Sequence, residues 1–240
     1  MNSPTITPLA GRAGDLAWSA IESRLLDEGF AQHERFLSAS ECIALRDLYL
    51  DNTLFRSRVV MERHNFGSGE YKYFSYPLPE SIAALREAFY RALAPVANRW
   101  NELLGVNERF PPSQQQFLEV CGEREQARPT ALLLRYRTGD YNRFHQDLYG
   151  DVAFPFQVTF FLSAKSEYEG GEFVLTEQRP RAQTRPMVIA PDQGDFVIIP
   201  NRYRPVSGKT GRYRTTYRHG VSALRAGERF TLGIVFHDAR

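Results

Sequence analysis

Residues 131–147 read Ala-Leu-Leu-Leu-Arg-Tyr-Arg-Thr-Gly-Asp-Tyr-Asn-Arg-Phe-His-Gln-Asp. A strand-length apolar run from Ala131 to Tyr136 meets a turn signal at Gly139, and the stretch that follows ends on His145 and Asp147. Residues i and i+2 of a strand project to one face, so His145 and Asp147 can hold one metal ion if that face is an interior. A lone His-x-Asp is common by chance, so the surrounding pattern decides its meaning.

That pattern continues downstream. Gln157 to Leu162, Gly171 to Leu175, Asp195 to Ile199 and Phe230 to Phe236 are short β-type runs, and glycines open two of them (Gly170-Gly171-Glu172, Gly194-Asp195-Phe196). No interval between them is long and periodic enough for a crossover helix, which predicts an antiparallel double-stranded β-helix, or jelly roll, rather than a βαβ sheet. Upstream the chain reads as mostly helical. Trp18 to Leu26 has helical apolar spacing, and Ser38 with Glu41 is a capping-box pattern opening a helix to about Leu50. The longest helix is predicted over Ser81 to Leu104, with a stripe of Ile82, Leu85, Phe89, Leu93, Val96 and Trp100, a kink at Pro95 and a C-cap at Gly105. Phe55 to Tyr76 mixes strand-like pieces with Gly67 and Gly69 and carries no readable function. The expectation is a single α+β domain over 1–240, with 1–110 a helical supporting layer and 111–240 a jelly-roll core.

A chain of 240 residues that is 42% hydrophobic and 24% charged has the composition of a soluble globular domain. No apolar run approaches the roughly 20 residues that cross a bilayer. Met1 to Ala10 has no secretory pattern, and Cys42 and Cys121 are too few for a disulfide framework, so a reducing cytoplasm is expected. A net charge of +2 names no partner, and no obligate protein partner is evident. The charge is uneven, however: Arg202, Arg204, Lys209, Arg212, Arg214 and Arg218 form a run with no acidic residue. Such a run is a solvated loop face or an anion-binding surface, for which a nucleic acid is the obvious candidate.

His219 stands in a second strand-like stretch, and with His145 and Asp147 it completes the two-histidine, one-carboxylate donor set of a non-haem Fe(II) site with open positions. Ten residues further on comes Arg229, within Gly227-Glu228-Arg229-Phe230-Thr231-Leu232. Burying an arginine in an apolar strand is costly without an anion, and a carboxylate is its natural bidentate partner. If Phe230, Leu232 and Ile234 form one face, Arg229, Thr231, Gly233 and Val235 form the other, with room left at Gly233.

This ordered set resembles the Fe(II)- and 2-oxoglutarate-dependent dioxygenases, specifically the prolyl-hydroxylase-like branch with its Tyr-x-x-Gly, His-x-Asp, Gly-Gly-Glu, distal His and His-plus-ten Arg pattern. The likeness is closest over Leu132 to Asp238. It implies that His145, Asp147 and His219 are the catalytic iron ligands, that Arg229 pairs with the distal carboxylate of 2-oxoglutarate, and that Tyr136 helps bind the same co-substrate. Fe(II), 2-oxoglutarate and O₂ would then hydroxylate a C–H bond, releasing succinate and CO₂. Arg218 to Ser222 and Gly233 to Ala239 also resemble a bacterial oxygenase group described as acting by oxidative demethylation of damaged DNA, although the second arginine of the AlkB pattern is absent after Arg229. Hydroxylation of a protein side chain or small molecule is the alternative, and a non-catalytic cupin-like binding protein is the alternative of another class.

Other aromatic and histidine positions carry bland expectations. His33 reads as solvated, His237 as a surface or supporting residue, and His64 as a loop residue or part of a substrate lip. Tyr71, Tyr73, Phe74 and Tyr76 read as packing residues, with base stacking as the functional reading.

Overall fold

Side-chain alternation along the strands organises the molecule, whose computed structural model describes residues 7–208 and 211–240. In chain order the elements are α1 (Thr7–Gly14), α2 (Trp18–Asp27), β1 (Ala31–His33), α3 (Ala39–Asp47), β2 (Phe55–Val60), β3 (Gly67–Ser68), β4 (Glu70–Phe74), α4 (Glu80–Leu103), α5 (Gln114–Gly122), β5 (Leu132–Arg137), β6 (Tyr141–His145), β7 (Phe156–Phe161), β8 (Tyr168–Gly170), β9 (Phe173–Gln178), β10 (Arg185–Ile189), β11 (Phe196–Pro200), β12 (Tyr203–Gly208), β13 (Gly211–Val221) and β14 (Leu224–Val235). All the strand pairs are antiparallel. The larger sheet runs β1-β11-β7-β14-β5-β4-β2 with β8 beside β14, and the smaller runs β10-β9-β13-β6-β3 with β12 beside β13.

The larger sheet buries apolar residues on both faces. Leu133, Phe156, Val158, Phe160, Phe196, Ile198, Phe230, Leu232 and Ile234 pack on the helical layer, where Ile82, Leu85, Phe89, Leu93 and Trp100 of α4 meet them. Phe89 sits edge-on to Phe160 and Phe196, with ring centroids 5.5 and 5.0 Å away. The intervening residues Leu132, Tyr136, Phe161, Val197 and Ile199 turn the other way and face Phe173, Leu175 and Val221 of the smaller sheet.

The fold is the expected α+β jelly roll with a helical layer. Within it, the layer and the core share a sheet: β1 pairs with β11, and β4 pairs with β5. The unread stretch from Phe55 to Tyr76 therefore supplies sheet edges. His33 is not a solvated residue before a helix but part of β1, half-buried and stacked on Phe196 at 5.3 Å. The capping box at Ser38 and Glu41 forms, Pro95 lies inside α4 without ending it, and Gly105 follows that helix in the left-handed region at φ +66°.

The arginine run is a β-hairpin, not a loop. β12 and β13 pair from Tyr203 and Thr216 to Gly208 and Gly211. Arg204 is buried inside, donating to Glu177 Oε1 at 3.1 Å, to the Tyr217 hydroxyl at 2.9 Å and to the carbonyl oxygen of Asp27 at 2.8 Å. It ties α2 to the smaller sheet and is not available to an external anion. Arg202, Arg212, Arg214 and Arg218 are exposed, and Lys209 lies outside the described residues. No helix among the described residues is long and apolar enough to cross a membrane.

Candidate metal and co-substrate site

Strands β6 and β13 are neighbours, and His145 lies directly across from His219 in their register. Their rings are 4.2 Å apart between centroids. Asp147 follows just past the end of β6, with Oδ1 3.7 Å from His145 Nε2 and Oδ2 3.3 Å from His219 Nε2. One donor atom from each of the three residues lies within 4.8 Å of the others, a compact set with one carboxylate and two imidazoles.

Neighbouring groups hold these donors in ligand form. His145 Nδ1 is 2.7 Å from the carbonyl oxygen of Arg143, to which its N–H donates, and this leaves the Nε2 lone pair toward the cluster. Burial, and His219 beside it, push the His145 imidazole pKa down, which favours the neutral ring. Burial alone would push the Asp147 carboxyl up, but His145, His219 and the Tyr149 hydroxyl outweigh it and hold the group well below the usual carboxylate range. Tyr149 donates to Asp147 Oδ1 at 2.6 Å, and Tyr73 donates to the Tyr149 hydroxyl at 3.0 Å.

A cavity of about 500 Å³ opens between the two sheets at this cluster, and Arg229, Thr231, Gly233 and Tyr136 of the larger sheet line it. Arg229 lies across from Tyr136 in the register of β14 and β5 and is 2% exposed. Its Nε and Nη1 have no hydrogen-bond partner among the described residues, and it forms no ion pair there. The guanidinium sits instead among the rings of Phe161, Tyr136 and Tyr168, at 5.2, 5.8 and 5.9 Å from their centroids. Burial lowers its pKa, yet a guanidinium stays charged, so this is a buried cation with an open demand for an anion. Tyr136 is buried, its pKa pushed up to about 12, and its hydroxyl accepts from Asn142 Nδ2 at 3.3 Å. The Gly170-Gly171 pair adopts φ +77° and +61°, and a Cβ at Gly171 would lie 2.2 Å from a Leu224 methyl carbon and 3.5 Å from Arg229 Cδ. Glycine there leaves room for the Leu224 side chain beside the Arg229 stem.

The structure thus brings His145, Asp147 and His219 to one point and turns Arg229 and Tyr136 into the same cavity. His237 is not a surface residue: it is fully buried, accepts the Phe154 N–H at Nδ1 (3.2 Å) and has its pKa pushed down by burial to about 4. His64 stacks on Phe66, whose half-exposed ring lines the cavity mouth. Tyr71 and Tyr73 face the cavity, whereas Phe74 joins the helix-side core and Tyr76 donates to Asp238 Oδ2 at 2.9 Å. Sequence reasoning missed Tyr149 and Tyr168. The first stands two residues after Asp147 and continues the spacing of His145 and Asp147; nothing local marks the second.

A family model described as an oxygenase catalysing oxidative methylation of damaged DNA matches residues 69–239. Two uncharacterized proteins of Mycobacterium tuberculosis, from strains CDC 1551 and H37Rv, are 44% identical over 167 residues, covering 69% of this chain and 72% of each of theirs. Among solved structures, a prolyl hydroxylase of Trichoplax adhaerens in complex with a hypoxia inducible factor peptide superposes with TM-score 0.56 at 15% identity, covering 99% of this chain and 94% of that one. A Pseudomonas putida prolyl-4-hydroxylase gives 0.51 at 16%, covering 93% and 99%. A 2OG-Fe(II) oxygenase family oxidoreductase of Burkholderia pseudomallei also gives 0.51 at 16%, covering 94% and 93%. These likenesses show the jelly-roll fold of the prolyl hydroxylases. With most of its length matched by the family model, the chain belongs to the family of oxygenases described as catalysing oxidative methylation of damaged DNA.

Proposed function

We propose that the protein is an Fe(II)- and 2-oxoglutarate-dependent oxygenase acting on alkylated nucleic acid. One observation carries the cofactor reading: a compact His-Asp-His donor set and a buried, unpaired arginine line the same cavity. The residues fit the groups they would hold. Two imidazoles and a carboxylate suit Fe(II), and the unpaired Nε and Nη1 of Arg229 suit a carboxylate that arrives with the co-substrate. Bound together with O₂, iron and 2-oxoglutarate would supply the oxidant that hydroxylates a C–H bond, one oxygen atom going to the alcohol and the other to succinate, with CO₂ released.

The chain's own contribution is placement. His145, Asp147 and His219 would hold the metal, Tyr149 would steer the Asp147 carboxylate, and Arg229 would fix the far end of the co-substrate. The rings of Tyr136, Phe161 and Tyr168 exclude water around that guanidinium and strengthen its attraction to an anion. Hydroxylation of an N-methyl group leaves a hemiaminal, which releases formaldehyde and the demethylated base.

Two observations support nucleic acid as the substrate: the family description, and the exposed Arg202, Arg212, Arg214 and Arg218 of the β12–β13 hairpin. Arg202 and Arg214 flank the Tyr203 ring at 4.6 and 5.4 Å, which restrains both cations on the surface. The alternative substrate, a protein side chain, has the fold shared with the prolyl hydroxylases in its favour. Free, buried Cys42 and Cys121 support a cytoplasmic setting. The test is a screen of methylated DNA, RNA, peptides and amino acids with Fe(II), 2-oxoglutarate and O₂, scored by succinate and formaldehyde. Formaldehyde from a methylated oligonucleotide supports the proposal; turnover on peptides alone moves the substrate to protein.

A further inference from the structure

Two residues with buried, unpartnered side-chain atoms among the described residues line the cavity: Arg229 and Gln157. Arg229 has a partner in the function proposed above. Gln157 has none. It lies on β7, 3% exposed, where Phe156, Val158 and Phe160 pack on the helical layer and Gln157 and Thr159 turn into the cavity. A buried amide N–H without a partner destabilises the protein that carries it, and most buried polar groups avoid that state. An apolar residue of similar size would pack the same position without that cost.

Register locates this amide relative to the rest of the site. Thr159 lies across from Gly233, Gly233 from Leu132, and Leu132 from Tyr73, whose hydroxyl supports Asp147 through Tyr149. Gln157 lies across from Val235, one step along the inner face from that row, and Arg229 lies two steps from it in the opposite direction. Six residues of strand separate the two levels, roughly 20 Å at about 3.3 Å per residue. The two unpaired donors therefore stand on opposite sides of the row that supports the metal-binding carboxylate. A molecule anchored at Arg229 and reaching His145, Asp147 and His219 extends toward Gln157.

We propose that the Gln157 side-chain amide is a ligand-binding donor of this site, hydrogen-bonding a carbonyl or carboxylate oxygen of the molecule held beside His145, Asp147 and His219. This rests on the metal and co-substrate reading above. The acceptor has two sources, the metal-side carboxylate of 2-oxoglutarate or a carbonyl oxygen of the substrate base.

The test uses Gln157→Leu and Gln157→Met, which keep the volume and delete the donor. Three readouts are needed: thermal melting without ligands, calorimetric titration of 2-oxoglutarate into Mn(II)-loaded protein, and anisotropy of an N-methylated single-stranded oligonucleotide with Mn(II) and 2-oxoglutarate present. The variants should melt no lower than the wild type, and one affinity should fall by about tenfold, the size of one hydrogen bond to a charged or carbonyl oxygen. A fall in 2-oxoglutarate affinity assigns the acceptor to the co-substrate. A fall confined to the oligonucleotide assigns it to the substrate. Unchanged affinity for both probes in a folded variant overturns the proposal, as does a loss of affinity accompanied by a lower melting temperature in both variants. If wild-type protein binds neither Mn(II) nor 2-oxoglutarate, the functional reading falls and this proposal with it, a result that needs no variant to recognise.

Discussion

At the scale of single residues, the site depends on what stands beside each side chain. Arg229 has no anion beside it among the described residues, and Asp147 leans on the Tyr149 hydroxyl. Replacing Arg229 with alanine should raise the 2-oxoglutarate concentration needed for half-maximal turnover by at least tenfold and leave iron uptake nearly unchanged; an unchanged co-substrate requirement would show that another cation holds the carboxylate. Tyr149→Phe keeps the ring and removes the hydroxyl that donates to Asp147 and accepts from Tyr73. Loss of such a supporting bond typically weakens metal affinity about 10-fold or more, which competition against a coloured chelator would read, with the fold intact by circular dichroism. His145, Asp147, His219 and Arg229 stood out in the sequence because their chemistry is tied to residue type and spacing. Tyr149, Tyr168 and Gln157 did not, since tyrosine and glutamine are ordinary residues until sheet closure turns them toward one cavity. His237 adds a pH term. Its pKa lies near 4 in the folded protein, below the ordinary histidine value, so the unfolded chain takes up the proton first as pH falls. Its contribution is therefore complete above the ordinary value near 6.5 and is lost as pH drops toward 4. Urea unfolding should show about 2 kcal/mol less stability at pH 5 than at pH 8 from this group, and His237→Gln should flatten that part of the profile.

At the scale of elements, the two strands that carry the site differ in how they advertise themselves. β14 was readable because Phe230, Leu232 and Ile234 alternate with Arg229, Thr231 and Gly233. β13 was legible only around His219: Arg212, Arg214 and Arg218 occupy exposed positions, so the earlier part of the strand read as a charged loop while Thr215 and Tyr217 faced inward. The short β1 and β3, of three and two residues, give no periodicity at all and are held by pairing with distant strands. For the hairpin, the expected behaviour is electrostatic. Reversing Arg212 and Arg214 to glutamate should weaken oligonucleotide binding and lower the slope of log K against log salt by about two, near 0.9 for each phosphate that is no longer neutralised. An unchanged slope in an anisotropy titration would remove this surface from the nucleic-acid reading.

For the whole molecule, one sheet is shared by two cores: its outer face packs on the helices and its inner face carries the chemistry. Phe89 lies at the centre of the outer packing, on the far side of that sheet from the cavity, and Phe89→Ala should cost about 3–5 kcal/mol of unfolding free energy. That division explains why the jelly roll and the long helix were legible from periodicity, whereas the contribution of the first hundred residues to the sheet was not. The proposed chemistry depends on His145, Asp147, His219 and Arg229 forming one iron and 2-oxoglutarate site. The most direct test is succinate formation by purified protein with Fe(II), 2-oxoglutarate and O₂, measured alongside bound iron for the wild type and Asp147→Ala. Bound iron and succinate in the wild type, both lost in Asp147→Ala, are the expected result; a wild type without iron, or an Asp147→Ala variant that still makes succinate at the wild-type rate, would contradict it.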